Sequence, residues 1–168
     1  YPVAPRVADA AAVYILRDML RDVITSGTGR AALSLNRDDI VGKTGTTNGQ
    51  RDAWFAGFNS ALVTTVWVGK DNNETIAEYG ANAALPIWIE FMGDALAGSP
   101  SAIPERPSTV ISARVDASTG RRLHDDQPGG ISELFHRDHL PDYQARGISQ
   151  ELEEASGSQG SGAAESIF

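Results

Sequence analysis

The segment Lys43-Thr44-Gly45-Thr46 combines residue types that can hold an anion at the end of a predicted strand. Hydroxyl and ammonium groups donate hydrogen bonds to carboxylates. Because side chains alternate along a strand, Lys43 and Gly45 should point to one face and Thr44 and Thr46 to the other. By itself, however, a Lys-Thr-Gly triplet is more often an exposed strand end than an active element, since short motifs match by chance.

The sequence around this segment makes the motif more specific. It continues through Arg-Asp-Ala-Trp-Phe-Ala-Gly-Phe at residues 51–58 into a strand that ends Val-Trp-Val-Gly at residues 66–69. This block resembles the third, fourth and fifth strands of the transpeptidase domain of penicillin-binding proteins, in which Lys-Thr-Gly is one of three active-site motifs. The flanking segments 19–32 and 78–88 resemble the class A, bifunctional members of that family.

The resemblance implies a role for each residue of the motif. Lys43 would reach the buried floor of the cleft, where its charge stabilises groups around the nucleophile. The hydroxyls of Thr44 and Thr46 would bind the carboxylate of a donor peptide or of a β-lactam. Gly45 would let the substrate backbone lie against the strand as an added partner. The Thr46 N–H would supply one oxyanion-hole donor, worth roughly 3 kcal/mol of barrier lowering.

The nucleophile that this family uses lies in a Ser-x-x-Lys motif, and the chain contains no such motif. Its two lysines, Lys43 and Lys70, are preceded three residues earlier by Ile40 and Trp67. The second family motif, Ser-x-Asn, has an apparent match at residues 34–36, which we interpret as a decoy because it lies close to Lys43 in a polar loop. We therefore expect the isolated chain to be inactive without an upstream part that carries the serine.

Other candidate sites are weaker. Thr47 and Trp54 lie beside the strand end and are candidates for the cleft rim, although packing is the default interpretation of a tryptophan at core spacing. Residues 26–30, Ser-Gly-Thr-Gly-Arg, lack the spacing of a phosphate-binding loop and should end a helix. His136 and His139 have no third ligand nearby, so a solvated loop is favoured over a metal site. No metal and no cofactor are predicted.

Composition and charge restrict the class of protein. The net charge of −8 disfavours nucleic acid as a partner. The absence of Cys excludes disulfides and thiolate metal sites. No apolar run approaches the roughly 20 residues needed to cross a bilayer. The chain starts at Tyr1 without Met, and we treat it as a fragment whose membrane anchor lies elsewhere.

Apolar periodicity predicts two helices on a core. The first covers residues 10–24, and the second covers residues 85–97, with Pro86 in a first turn that tolerates it. Their predicted core-facing residues are Ala12, Leu16, Met19, Leu20 and Val23 in the first helix, and Leu85, Trp88, Met92, Ala95 and Leu96 in the second.

Three β-rich runs predict strands at residues 40–46, 53–58 and 61–68. Residues 47–51 should turn the first strand into the second, and Asn59-Ser60 should join the second to the third as a tight hairpin. The three strands are therefore predicted to pair as antiparallel neighbours in chain order. The predicted fold class is α/β, an α+β sandwich of β-lactamase/transpeptidase-like type, with three antiparallel strands of a larger five-stranded sheet and both helices on one face.

The predicted organisation has three parts. Residues 1–98 form the C-terminal part of a transpeptidase domain, 99–148 an extension with a small hairpin, and 149–168 a disordered tail. The hairpin would pair residues 109–115 with residues 121–123. The family likeness is close over residues 4–96.

The implied function is peptidoglycan D,D-transpeptidation by serine acyl transfer in a bifunctional glycosyltransferase/transpeptidase. Its partners would be peptidoglycan stem peptides and their lipid-linked precursor, the β-lactams that imitate them, and the upstream part of the same protein. The expected location is the bacterial inner membrane with the domain facing the periplasm. A serine β-lactamase or D,D-carboxypeptidase is one alternative, and a non-catalytic fragment that binds wall material or a partner is another.

Overall fold

A computed structural model describes residues 5–145 of the chain. The chain divides into two compact units, one that ends at Ile111 and one that begins at Ser112. In the first unit the elements are α1 (Ala10–Thr25), a 3₁₀ helix (Arg30–Leu35), β1 (Val41–Thr46), β2 (Asp52–Phe58), β3 (Val63–Gly69) and α2 (Gly80–Ala95). The predicted domain boundaries at residues 98 and 148 stay a prediction, and the predicted tail at 149–168 lies outside the described residues.

Helix α1 has the predicted extent but a different buried face. The Asp9 carboxylate caps it by accepting hydrogen bonds from the first-turn N–H groups of Ala11 and Ala12. The predicted apolar face is correct only in part: Leu20 and Val23 are half-buried, but Leu16 and Met19 are 55% and 60% exposed. Instead Ala11, Arg17 and Ile24 are buried. Arg17 is buried because its guanidinium donates a hydrogen bond to the backbone oxygen of Asp39 at 2.9 Å. This contact directs the side of the helix that carries Arg17 toward the interior.

The predicted three-stranded sheet is confirmed. Its order is β1-β2-β3 and both pairs are antiparallel, which leaves β1 at an edge of this sheet. The second hairpin turns one residue later than predicted, at Ser60-Ala61, because the Asn59 side-chain oxygen accepts the N–H groups of Ala61 and Leu62. As a result β3 begins at Val63 rather than at residue 61.

Both helices cover the same face of the sheet, as predicted. Ile24 of α1 and Trp88 of α2 belong to one buried cluster with Phe55 of β2. The rings of Phe55 and Trp88 meet edge to face with centroids 4.9 Å apart, a favoured geometry for aromatic pairs. On the opposite face, Trp54 and Trp67 are 41% and 46% exposed. Among the described residues of the first unit, the core therefore lies on one side of the sheet and the other side is open.

Helix α2 begins five residues earlier than predicted, at Gly80. Its first turn forms on the Tyr79 carbonyl, which accepts the N–H groups of Asn82 and Ala83 at 2.9 and 3.0 Å. Placing Pro86 in the first turn was therefore wrong, and it lies inside the helix with its ring exposed. The predicted buried face holds for Leu85, Trp88, Met92 and Leu96, whereas Ala95 is exposed.

A buried carboxylate fixes the chain just before β1. Asp39 is fully buried and accepts hydrogen bonds from Arg37, the Asn59 amide and the Ala102 N–H. Arg37 donates in addition to the backbone oxygens of Ser99 and Pro100. Burial would raise the pKa of Asp39, but Arg37 and the other donors stabilise the anion and lower its pKa to about 2. This cluster joins the start of β1 to the β2–β3 turn and to the segment after α2.

A two-stranded sheet formed by later residues of the chain was predicted only in part. Strand β4 (Val110–Val115) and the turn at Asp116 match the prediction. Its strand partner is β5 (Ile131–His136), which was not predicted. The predicted hairpin with residues 121–123 is present as a short antiparallel bridge between Val115 and Arg122, with hydrogen bonds from the Leu123 N–H to the Arg114 oxygen and from the Asp116 N–H to the Arg121 oxygen. Between residues 5 and 145, none of the helices is both long and apolar enough to span a membrane.

Candidate active-site wall

The register of β1 on β2 fixes where the motif points. Thr44 and Thr46 pair with Phe55 and Ala53, whose side chains face the buried core. Lys43 and Gly45 pair with Ala56 and Trp54 and share the opposite face. The predicted alternation of the motif is therefore confirmed.

The backbone of β1 also presents donors to the open edge. The Thr47 N–H donates to the Asp52 oxygen at 3.0 Å, which starts the ladder between β1 and β2. In an antiparallel ladder, alternate residues bond to the partner strand. The backbone groups of Lys43 and Gly45 are therefore hydrogen-bonded to β2, and the backbone N–H groups of Thr44 and Thr46 point away from β2. An edge of this kind can accept an extended peptide as a further strand.

Lys43 lies at the same edge with its side chain exposed. Its ammonium donates to the backbone oxygen of Thr44 at 2.9 Å and to the Thr44 hydroxyl at 3.3 Å. The ammonium thus lies beside Thr44, and the described residues contribute no opposing wall that would enclose it as the floor of a cleft.

The hydroxyl of Thr46 is held by the start of α2. It accepts the Gly80 N–H at 3.1 Å. Gly80 is buried against the backbone of the sheet, where an added Cβ would come within 2.3 Å of the Trp54 oxygen and 2.5 Å of the Gly45 oxygen. Only glycine allows the helix to begin this close to β1.

Sequence reasoning missed the contribution of Thr28, which belongs to the loop predicted to end α1. The loop does end the helix, but the Thr28 hydroxyl lies 2.7 Å from the Thr44 hydroxyl. These residues are 16 positions apart and on different elements. No pattern of sequence spacing links Thr28 to Thr44. In the sequence, the Gly-Thr-Gly-Arg segment indicates only the resemblance to the family.

These groups surround one groove of about 420 Å³ at the open edge of β1. Its lining residues are Thr28, Lys43, Thr44, Thr46, Tyr79, Gly80, Ala81 and Asn82. The N-terminal end of a 16-residue helix that has no acidic residue in its first turn faces the groove. Together with the ammonium and the hydroxyls, the partial positive charge of that helix end favours an anion.

The remaining candidates lie apart from this groove. Thr47 holds the turn, because its hydroxyl donates to the Asp52 carboxylate and accepts the Asp52 N–H. Trp54 packs on Trp67 on the open face of the sheet, with ring centroids 6.1 Å apart. Neither residue lines the groove. Ser34 belongs to the 3₁₀ helix rather than to the predicted polar loop.

The pair His136 and His139 lies in the second unit. The rings are 5.3 Å apart, and the His136 imidazole accepts the Asp138 N–H at 3.2 Å. Within residues 5–145, no three metal-binding side chains lie close enough to share an ion.

The comparisons with known proteins agree on one family. Penicillin-binding protein 1A of Pseudomonas aeruginosa is 49% identical over 140 residues, which are 82% of this chain and 17% of that protein. Penicillin-binding protein 1A of Neisseria gonorrhoeae is 40% identical over 128 residues, 75% of this chain and 16% of that protein. No family profile matches the chain.

A solved structure gives the same result at the level of the fold. The 2.6 Å crystal structure of penicillin-binding protein 1A from Haemophilus influenzae superposes with a TM-score of 0.74 at 33% identity. The match covers 85% of this chain and 22% of that chain.

The fold is that of the transpeptidase domain of a penicillin-binding protein. The chain belongs to the class A penicillin-binding proteins, and its relatives within that class are named penicillin-binding protein 1A. It spans only about one sixth of the length of those relatives.

Proposed function

We propose that this chain forms one wall of the active site of a peptidoglycan D,D-transpeptidase, and that β1 binds the donor peptide. The observation that carries the proposal is the groove at the free edge of β1, where Lys43, Thr44 and Thr46 come together. In a chain of net charge −8, this groove collects an ammonium, hydroxyls and a helix N-terminus. Such a set suits a peptide that ends in a carboxylate.

In the proposed reaction, a serine of the whole protein attacks the carbonyl carbon of the penultimate D-alanine. The C–N bond to the terminal D-alanine breaks, and that residue leaves as the free amino acid after gaining a proton. An amine of a neighbouring stem then attacks the acyl-serine ester and releases the serine. Each attack places negative charge on the carbonyl oxygen, and a preorganised N–H lowers the barrier at that point.

The residues of β1 have separate roles in this scheme. The hydroxyls of Thr44 and Thr46 bind the terminal carboxylate, with Lys43 as the neighbouring positive charge. The outward N–H of Thr46 is the oxyanion donor. Gly45 presents no side chain to an incoming peptide backbone. A β-lactam binds the same groups because its carboxylate and ring carbonyl imitate the peptide end.

The wider assignment concerns the whole protein. We propose a bifunctional glycosyltransferase/transpeptidase that is anchored in the bacterial inner membrane and faces the periplasm. Its serine lies in a Ser-x-x-Lys segment outside this chain, whose two lysines are not preceded by such a serine. The homology to penicillin-binding protein 1A supports a role in cell-wall synthesis and in the response to β-lactams.

The test is labelling by a fluorescent penicillin. The chain alone should give no covalent adduct, whereas a longer protein in which the chain is covalently joined to its Ser-x-x-Lys region should be labelled. In that longer protein Lys43→Ala should reduce labelling by at least about 100-fold, as expected for loss of a preorganised charge. Replacing exposed Lys70 in β3's flanking loop by Ala is the matched control and should leave labelling unchanged.

Covalent labelling of the isolated chain would refute the missing-nucleophile argument. Equal labelling of the wild-type protein and Lys43→Ala would remove the proposed role of β1.

A further inference from the structure

The loop that follows α1 is built to hold Thr28 in a fixed place. The Gly27 N–H donates to the Asp22 oxygen and the Gly29 N–H donates to the Val23 oxygen, at 2.9 and 2.8 Å. Gly29 is buried, and an added Cβ there would lie 2.9 Å from Ile24 and 3.1 Å from the Val23 oxygen. The backbone on both sides of Thr28 is therefore pinned to the end of the helix, while its side chain stays exposed at the groove.

The hydrogen atoms around Thr44 can be counted from its contacts. The Lys43 ammonium has only donors, so the Thr44 oxygen is an acceptor in their 3.3 Å contact. The Thr28 and Thr44 hydroxyls share one further hydrogen bond at 2.7 Å, which uses one of their two protons. The other proton of the pair remains available to a group in the groove. The pair therefore presents one oriented donor, close to an ammonium.

We infer that Thr28 is a positioning residue for the carboxylate subsite: it fixes the Thr44 hydroxyl so that the Thr28–Thr44 pair donates to the terminal carboxylate of the ligand. This inference rests on the proposed function and adds a residue from outside the Lys-Thr-Gly-Thr strand. It also predicts selectivity, since the pair acts on ligands with a free carboxylate and does little for ligands in which that group is blocked.

The experiment uses the protein in which this chain is joined to its Ser-x-x-Lys region. The probes are a penicillin with a free carboxylate and the methyl ester of the same penicillin. The second-order rate constant of acylation is measured for each by mass spectrometry. The variants are Thr28→Val, which keeps the shape and removes the hydroxyl, and Thr28→Ser, which keeps the hydroxyl. Thr25→Val, at the exposed last residue of α1, is the control.

Thr28→Val should slow acylation by the free acid about tenfold, the scale of one hydrogen bond to a charged group. Acylation by the ester should change by less than about twofold. The ratio of the acid's rate constant to the ester's should therefore fall by about fivefold or more. Thr28→Ser should restore the wild-type preference. The slower acylation of Thr28→Val should result from a higher saturation constant, with little change in the limiting acylation rate. The reason is that the carboxylate is bound both before and during acylation.

An equal fall with both probes would assign Thr28 a general structural role and overturn the inference. So would an unchanged rate constant for Thr28→Val with the free acid. A wild-type protein that neither probe acylates would instead refute the proposed function, which separates the two failures. Thermal unfolding of each variant checks that the fold is kept. If Thr28→Val is unstable, Thr28→Ala, which also removes the hydroxyl, tests the inference with the same two probes.

Discussion

At the residue scale, the carboxylate of Asp39 is a fully buried charge that several donors stabilise. It lies two residues before β1 and accepts hydrogen bonds from three separate segments of the chain. Removing one partner of a buried pair leaves a charge without compensation, which typically costs 3–5 kcal/mol. Asp39 therefore determines how β1 enters the sheet and, through it, where Lys43 lies.

Asp39→Asn should lower the free energy of unfolding by about 3 kcal/mol at pH 7, because Arg37 loses its anion and an amide cannot replace every acceptor position. Urea denaturation measures this. Asp38→Asn, the exposed neighbour, is the matched control and should change stability by less than about 0.5 kcal/mol. Equal effects of the two substitutions would contradict the role of the buried cluster.

The same carboxylate should make stability depend on pH. Its pKa in the folded state is about 2, below the ordinary value of 3.8, so the folded state favours the anion. The stabilisation is complete above about pH 4 and is lost as the pH falls toward 2, by about 2 kcal/mol in total. Subtracting the pH profile of Asp39→Asn from that of the wild type should isolate this loss, and parallel profiles would disprove it.

At the element scale, the start of α2 and the end of β1 form one unit. The helix begins where Gly80 rests on the sheet backbone and donates its N–H to Thr46. This contact places the positive end of the helix at the groove. The close approach of Gly80 to the sheet backbone, rather than the apolar face of the helix, brings the start of α2 to the candidate site.

Gly80→Ala should destabilise the protein by about 2 kcal/mol and weaken acylation in the longer protein. An added Cβ would overlap two backbone oxygens, which cannot move away as a flexible side chain can. Chemical denaturation and penicillin labelling measure the two effects.

Gly93→Ala in the same helix is the control for Gly80→Ala. There an added Cβ meets only a leucine methyl group, of Leu35, at 3.3 Å. It should be neutral or stabilise the helix by up to about 1 kcal/mol, since alanine has the higher helix propensity. Losses of equal size at both positions would show that close packing at Gly80 is not the cause.

At the scale of the whole molecule, the described residues of the first unit cover the sheet on one face only. Trp88 of α2 is fully buried against the sheet, whereas Trp54 and Trp67 are about half exposed on the other face. The relatives are about six times as long as the matched segment, which leaves ample chain to cover that face. We expect the rest of the transpeptidase domain to do so.

Tryptophan quenching can test this expectation. In the isolated chain, acrylamide should quench Trp54 and Trp67 readily and Trp88 poorly, which single-tryptophan variants with phenylalanine at the other two positions can resolve. In the protein that includes the upstream region, quenching of Trp54 and Trp67 should fall severalfold, and Trp88 should not change. Unchanged quenching of Trp54 and Trp67 would show that this face stays exposed to solvent.

The sequence by itself determined the strands, their antiparallel order and the family. β-Branched and aromatic runs between turn residues predict strands locally, as in residues 61–68 and the turn at Asn48-Gly49. The motif at Lys43–Thr46 could be found because its context is contiguous in the chain. The alternation of side chains along β1 then predicted the face of the sheet on which each side chain lies.

Only the tertiary structure decided the remaining features, because they depend on contacts between residues far apart in the chain. The inward turn of Arg17 depends on the Asp39 carbonyl, 22 positions away. The early start of α2 depends on the fit of Gly80 against the sheet backbone, and the partner of β4 lies beyond the predicted hairpin. The Thr28–Thr44 hydroxyl pair forms because a helix-ending loop folds back to the edge of β1. Periodicity and propensity describe a residue's near neighbours along the chain, so they carry no information about such contacts.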